Sequence, residues 1–160
     1  MRGPRSAPAR RAVDAYADAP KGDRFHVAMR WWTCPFPELE AVVPTAGRVL
    51  EVGCGHGLLS LYLAAAAPGR DVTGADIDVD KLEVARVAAK RFAQGSEGAE
   101  GPVVHFEKVA PDGFVDGEFA AIAIADVLYL LPAADRTELL DRCVDHLAPG
   151  RRVAAGRAAQ

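Results

Sequence analysis

The chain has no paired cysteine motif, no block of basic residues and no apolar run of membrane-spanning length. Cys34, Cys54 and Cys143 are far apart, odd in number and without a CxxC pair. That argues against a disulfide framework or a metal site and for a reducing, cytoplasmic compartment. With a formal net charge of −3 and no Lys/Arg cluster inside the folded region, a nucleic-acid partner is not expected. The N-terminus carries arginines but no apolar h-region, so it does not read as a secretory signal. Against these absences stand 160 residues, half of them hydrophobic, enough for one globular domain with a real core.

The chain is organised around Arg48-Val-Leu-Glu-Val-Gly-Cys-Gly-His-Gly-Leu58. Val49, Leu50 and Val52 form a short apolar run interrupted by Glu51. Gly53, Gly55 and Gly57 follow at alternate positions, and Leu58–Ala67 is a helix-forming run stopped by Pro68-Gly69. This is strand, glycine turn, helix. Glycines permit positive φ and close approach of backbone to a ligand, and the free N–H groups at the helix start favour polar or anionic ligand groups. A glycine turn alone can be a bare tight turn. These flanking elements favour a nucleotide-like ligand.

Residues 1–22 read as a flexible arm of Arg, Pro, Ala and Gly, with a short helix around Arg11–Ala17 and arginines that are solvated. The folded domain is expected over 23–160. A helix through Phe25–Trp32 would put Phe25, Ala28, Met29 and Trp32 on one face. Trp31, Trp32 and His26 either line a pocket or pack as a cap helix. Pro37 can start a short helix through Val43. Arg70–Asp76 reads as strand two, ending on an acid. Asp78 would cap an amphipathic helix whose inward side is Leu82, Ala85, Ala89 and Phe92. A polar loop over Gln94–Gly101 leads to strand three, Val103–Val109, where His105 packs or is exposed. Strand four is Phe119–Ala125, continuously apolar. Helix Ala133–Leu147 has the stripe Leu139, Leu140, Cys143, Val144 and Leu147, and Arg152–Ala155 starts strand five.

Strands alternating with helices predict an α/β Rossmann-like fold, an open and mostly parallel sheet of about five strands with helices on both faces. Right-handed crossovers place the glycine turn at the carboxyl edge of the sheet, near the switch point, with Asp76 and Asp126 on the same crevice. Gly53 and Asp76 are 23 residues apart, close to the spacing at which an acid ending strand two holds ribose hydroxyls. The turn is GxGxG, with Leu58 where the dinucleotide fingerprint wants its third glycine. Glu51 would repel a pyrophosphate but could accept hydrogen bonds from loop amides or a ligand ammonium.

Val49-Leu-Glu-Val-Gly-Cys-Gly-His-Gly57 closely resembles the first motif of the class I S-adenosylmethionine-dependent methyltransferases. Val72–Asp78 with Ala85-Arg86 is similar to the second motif, and Leu147-Ala-Pro-Gly150 to the turn before strand five. Asp126-Val-Leu-Tyr-Leu-Leu-Pro132 resembles the segment after strand four in the small-molecule and quinone-type branch. The resemblance covers Phe25 to Ala155.

It implies that Glu51 and the backbone of Gly53, Gly55 and Gly57 hold the methionine part of S-adenosylmethionine. Asp76 would take the ribose hydroxyls, Ile77 would pack on adenine, and the residues after strand three, at Val109, would approach the adenine amino group. Asp126 is the candidate general base, its other reading being a helix cap or loop acid. Many relatives have an acid after strand three where this chain has Val109-Ala110, which leaves backbone groups or Asp112 for adenine. The family sheet continues through two further strands beyond the fifth, so the resemblance implies a domain incomplete at the C-terminus. The Asn/Asp-Pro-Pro-Tyr/Phe signature of base and glutamine methylation is absent, Ala125-Asp-Val-Leu-Tyr129 standing there. The expected activity is methyl transfer to a small-molecule or lipid-like acceptor. The alternatives are an inactive or partner-dependent cofactor-binding module and an NAD-binding oxidoreductase domain.

Overall fold

The computed structural model describes residues 3–94, 102–151 and 153–156. The expected loop over 95–101, Arg2, Arg152 and residues 157–160 lie outside them. Five strands, β1 (Ala46–Val52), β2 (Gly69–Asp76), β3 (Val103–Lys108), β4 (Ala121–Ala125) and β5 (Val153–Gly156), form one sheet in the order β3-β2-β1-β4-β5. Every pairing is parallel. The order reverses between β1 and β4, which places the switch point beside the glycine turn, where open α/β sheets bind ligands.

β1 and β4 are central, and β4 is buried along its whole length as Ala-Ile-Ala-Ile-Ala. Covered on both faces, such a strand shows a continuous apolar run rather than alternation. One face carries the larger core, built with Val49, Val72, Ala121 and Ala123 against α4 (Leu58–Ala66) and α5 (Val79–Gln94). The other face is Leu50, Ile122 and Ile124, covered by Val115, Phe119 and Cys143 of the loop before β4 and of α6 (Ala133–Asp145). Asp78 accepts from Lys81 N at 3.2 Å, the N-cap bond expected for α5.

Four differences from the sequence reading have physical causes. First, the segment expected as a mobile arm contains α1 (Ala7–Asp14), capped by Ser6 and buried at Ala9 and Ala12, with Ala15 and Tyr16 buried just after it. Small residues at helical spacing let α1 lie close against α4, so the core begins well before residue 23. Second, α2 (Lys21–Thr33) presents its other face inward. Val27 and Trp31 are buried, whereas Phe25, Met29 and Trp32 are exposed. Trp31 stands edge-on to Phe36 and Tyr62, at 5.8 and 5.1 Å between centroids. Two apolar stripes share this helix, and periodicity cannot choose between them. Third, α6 buries only Cys143, leaving Leu140 and Val144 exposed. Fourth, Phe119 is not in β4 but makes an isolated bridge to Leu147.

Arg70 is a buried cation that composition alone does not reveal. Its guanidinium donates to the carbonyls of Pro44, Val43 and Leu63 and pairs with Glu40 at 2.9 Å. It thereby ties the end of α3 (Phe36–Ala41), the entry to β1 and the end of α4 to β2. A buried charge this well satisfied fixes geometry.

Candidate cofactor site at the glycine turn

β1 delivers the turn to the carboxyl edge of the sheet. Gly53, Gly55 and Gly57 all adopt positive φ, at 70°, 53° and 77°. A Cβ at Gly53 would overlap Val127, and one at Gly57 would overlap the ring of Phe106. Phe106 also lies against Gly74, so the third glycine lets β3 pack onto the turn. At Gly55 the nearest atom to a Cβ would be 3.8 Å away, so only backbone conformation selects glycine there.

Four amides of the turn are used within the protein. Gly53 N and Cys54 N both donate to the carbonyl of Ala75, at 2.8 and 3.0 Å. Gly55 N donates to Asp76 Oδ2 at 2.6 Å, and Gly57 N to the carbonyl of Cys54 at 2.9 Å. Three of them hold the turn against β2, and the Gly57 bond closes the turn on itself.

Behind the turn lies Glu51, 2% exposed, its carboxylate accepting from Ser60 Oγ of α4. Burial pushes its pKa up to about 7, opposed by the Ser60 bond and the charge of Arg30. Asp76 ends β2 and accepts from both Gly55 N and Asp78 N, the latter at 2.9 Å. Ile77, next in line, is largely exposed, as a side chain stacking on a ligand would need to be. Val109 is half-buried and donates its N–H to the carbonyl of Asp76 at 3.0 Å. Glu51, the three glycines, Asp76, Ile77 and Val109 thus belong to the ends of β1, β2 and β3, adjacent strands of one edge.

Asp126 follows β4 in a left-handed conformation, φ 58°, and is buried. Its Oδ2 receives both the Arg30 guanidinium and the Cys34 thiol, the latter at 2.7 Å. Burial, with the Asp126 hydrogen bond, pushes the Cys34 pKa up to about 12, so the thiol stays protonated and donates. A carboxylate ion-paired to arginine and already accepting from a thiol is a poor proton acceptor. Through these bonds Asp126 ties α2 to the end of β4.

Tyr16 and Asp23, which the sequence reading did not single out, complete the site with His26 and His56. Tyr16 Oη donates to the carbonyl of His56 inside the turn. Its own pKa is raised well above normal, first by burial and then by Glu51. His56 Nε2 lies 3.2 Å from Asp23 Oδ1, and its ring meets that of His26 at 4.7 Å between centroids, tilted by 41°. The segment from Tyr16 to Cys34 therefore covers the turn. Short polar signals scattered over 20 residues carry no fixed spacing, and only the fold assembles them.

A family model described as "Methyltransferase domain" matches residues 49–150. The chain is 30% identical over 140 residues to a ubiquinone biosynthesis O-methyltransferase of Bordetella parapertussis, covering 78% of this chain and 54% of that protein. It is 34% identical over 109 residues to a ribosomal protein L11 methyltransferase of Chromohalobacter salexigens, covering 68% and 32%. The chain spans about half the length, or less, of these curated relatives. An arsenic (III) S-adenosylmethionine methyltransferase from Chlamydomonas reinhardtii superposes with a TM-score of 0.64 at 26% identity, over 89% of this chain and 47% of that one. The glycopeptide N-methyltransferase MtfA with S-adenosylmethionine shares the fold, with a TM-score of 0.57 at 20% identity over 74% and 46%. With the motif, the sheet order and the family match in agreement, this chain belongs to the class I S-adenosylmethionine-dependent methyltransferase family.

Proposed function

We propose that this chain binds S-adenosylmethionine at the glycine turn and serves methyl transfer to a small-molecule or lipid-like acceptor. The observation that carries the reading is the donor inventory of the turn. A pyrophosphate needs free N–H donors, and those of Gly53, Cys54, Gly55 and Gly57 are used internally. A cationic ligand needs acceptors and a compensating carboxylate, which Glu51 supplies from behind the turn. Leu58 in place of the third glycine of the dinucleotide fingerprint, with Glu51 beside the turn, disfavours an NAD-binding domain.

The residues present fit the cofactor. Glu51 and the carbonyls of the turn would hold its amino-acid part. Asp76, placed at the end of β2 with both oxygens facing amides, would receive the ribose hydroxyls in exchange for part of that bonding. Ile77 would pack on the adenine, and the backbone at Val109 would sit at its edge. When bound, the cofactor supplies an electrophilic methyl group on a sulfonium, which already carries its leaving group. The protein's task is then to align an acceptor and exclude water. The cover formed by Tyr16, Asp23, His26 and Arg30 serves the second purpose, and Asp126 fixes that cover through Arg30 and Cys34.

The acceptor class is supported by the names of relatives such as the ubiquinone biosynthesis O-methyltransferases and by the segment after β4. Among the described residues no helix is long and apolar enough to cross a membrane. The three cysteines are free and buried, which favours the cytoplasm. The test is incubation with methyl-labelled S-adenosylmethionine and a panel of phenol and catechol acceptors, including prenylated ones. Label in the organic extract with equimolar S-adenosylhomocysteine is expected. Cofactor binding with no transfer to any of them, or label appearing in added polypeptide instead, would overturn the acceptor reading.

A further inference from the structure

The outward face of α2 is an exposed apolar surface that the glycine-turn site does not account for. Phe25, Met29 and Trp32 are 69, 40 and 51% exposed on one helix. Lys21, Phe25, Ala28 and Trp32 follow at the i, i+4, i+7, i+11 spacing of one helical face, with Arg24 and Met29 to either side. Scattered exposed apolar side chains are ordinary, but two large aromatics and a methionine in register are not. The opposite side of the helix is accounted for: Val27 and Trp31 are core, Arg30 reaches Asp126, and Asp23 reaches His56.

Charge decides what the face suits. Lys21 and Arg24 are exposed, and among the described residues neither is ion-paired. The one acid of α2, Asp23, is turned toward His56. Beside the face, α1 and α2 enclose an open cavity of about 540 Å³ whose walls include Val13, Tyr16, Val27 and Phe25, with Lys21 and Arg24 among its lining. Asp14 also lines it and is the single acid there. An amphipathic helix with aromatics on its outer face and unpaired cations at one end is the pattern of a helix that lies in a lipid headgroup layer. Trp suits the boundary because its ring is apolar and its N–H polar.

We propose that α2 docks this protein onto anionic membrane surfaces, with Phe25, Met29 and Trp32 entering the acyl boundary and Lys21 and Arg24 meeting the headgroups. The proposal does not rest on the methyl-transfer reading. It places the cover of the glycine turn at the bilayer, so that a lipid-dissolved compound would approach along α2.

The test is co-sedimentation of the protein with vesicles of phosphatidylcholine alone and with 30% phosphatidylglycerol. Binding to the anionic vesicles only, lost on raising the salt, is expected. A cation near the surface contributes about fivefold in affinity, so Lys21→Glu with Arg24→Glu should weaken it by more than tenfold. Trp32→Ser with Phe25→Ser should do the same and abolish a vesicle-induced blue shift of tryptophan emission. All four residues are exposed, so far-UV circular dichroism and the melting temperature should be unchanged, which separates lost docking from lost folding. No binding to anionic vesicles, equal binding to neutral ones, or indifference to both variants would overturn the proposal. So would binding of a monomeric short-chain anionic lipid as tight as that of vesicles, which would make the cavity a single-lipid site. Concentration-dependent dimerisation removed by Trp32→Ser would assign the face to a second copy instead.

Discussion

The amide of Gly55 in the glycine turn donates to the carboxylate of Asp76 at the end of β2, across 2.6 Å. One carboxylate therefore shapes the turn. If it also receives the ribose hydroxyls, as proposed, ligand binding and order in the turn are coupled through it. At cofactor concentrations near 100 times Kd, binding to the folded state alone contributes about 2.7 kcal/mol. For a chain of this size that corresponds to a rise in Tm of roughly 5–10 °C. Differential scanning fluorimetry should show it with S-adenosylmethionine and S-adenosylhomocysteine and not with NAD.

Gly57→Ala should cost about 2–5 kcal/mol, since it adds a Cβ at φ 77° and drives it into the Phe106 ring. Phe106→Leu in the same chain should recover part of that loss, because the obstruction is a ring and not backbone. Urea denaturation of the two single variants and the double variant measures the coupling, expected at about 1–2 kcal/mol. Additive losses would mean that the strain lies in φ alone.

Much of this was legible in the sequence, and the reason is local. Strand, glycine turn and helix are set by consecutive residues, and the acid at strand two lies at a spacing fixed by one helix and two turns. The parallel sheet, with the glycine turn at its carboxyl edge, followed from alternation and right-handed crossovers. What could not be read depends on long-range choices. α2 has two apolar stripes, and the Trp31 packing and the Arg30–Asp126 pair, 96 residues apart, select one. The Tyr16 bond to His56 spans 40 residues, and Arg70 finds its acceptors on three separate segments.

Glu51 gives the protein a pH dependence of known sign. Its pKa is raised by burial to about 7 in the folded state, so the fold binds a proton that the unfolded chain releases at lower pH. Stability from this group is full below the ordinary carboxylate range and falls as pH rises to about 7, by on the order of 3 kcal/mol. Glu51→Gln should remove that component. The wild-type and variant unfolding free energies, measured from pH 4 to 8, should diverge with rising pH in favour of the variant. Parallel curves would mean that Glu51 is paired more strongly than its burial indicates.

Arg70→Met should destabilise by about 3–5 kcal/mol, because it leaves the buried carbonyls of Val43 and Leu63 without their donor. Arg70→Lys should rescue little, as a single ammonium cannot span acceptors on three segments. Urea midpoints of both variants provide the check, and near-wild-type stability for the lysine variant would contradict the assignment.

The placement of Asp126 separates a tether from a base. If it fixes α2, then Asp126→Asn and Arg30→Ala should lower kcat/KM to similar extents, and the double variant should be no worse than either. The pH profile should keep its shape in all three. A far larger loss in Asp126→Asn alone, with a changed acidic limb, would restore the base role.

The central claim is that the turn and Asp76 form an S-adenosylmethionine site, and isothermal titration of the wild type and Asp76→Ala tests it most directly. Saturable binding of S-adenosylmethionine by the wild type, none of NAD, and at least tenfold weaker binding by a folded Asp76→Ala variant are the predicted results. Binding of NAD in preference to S-adenosylmethionine, or an Asp76→Ala variant that binds the cofactor as tightly as the wild type, would contradict it.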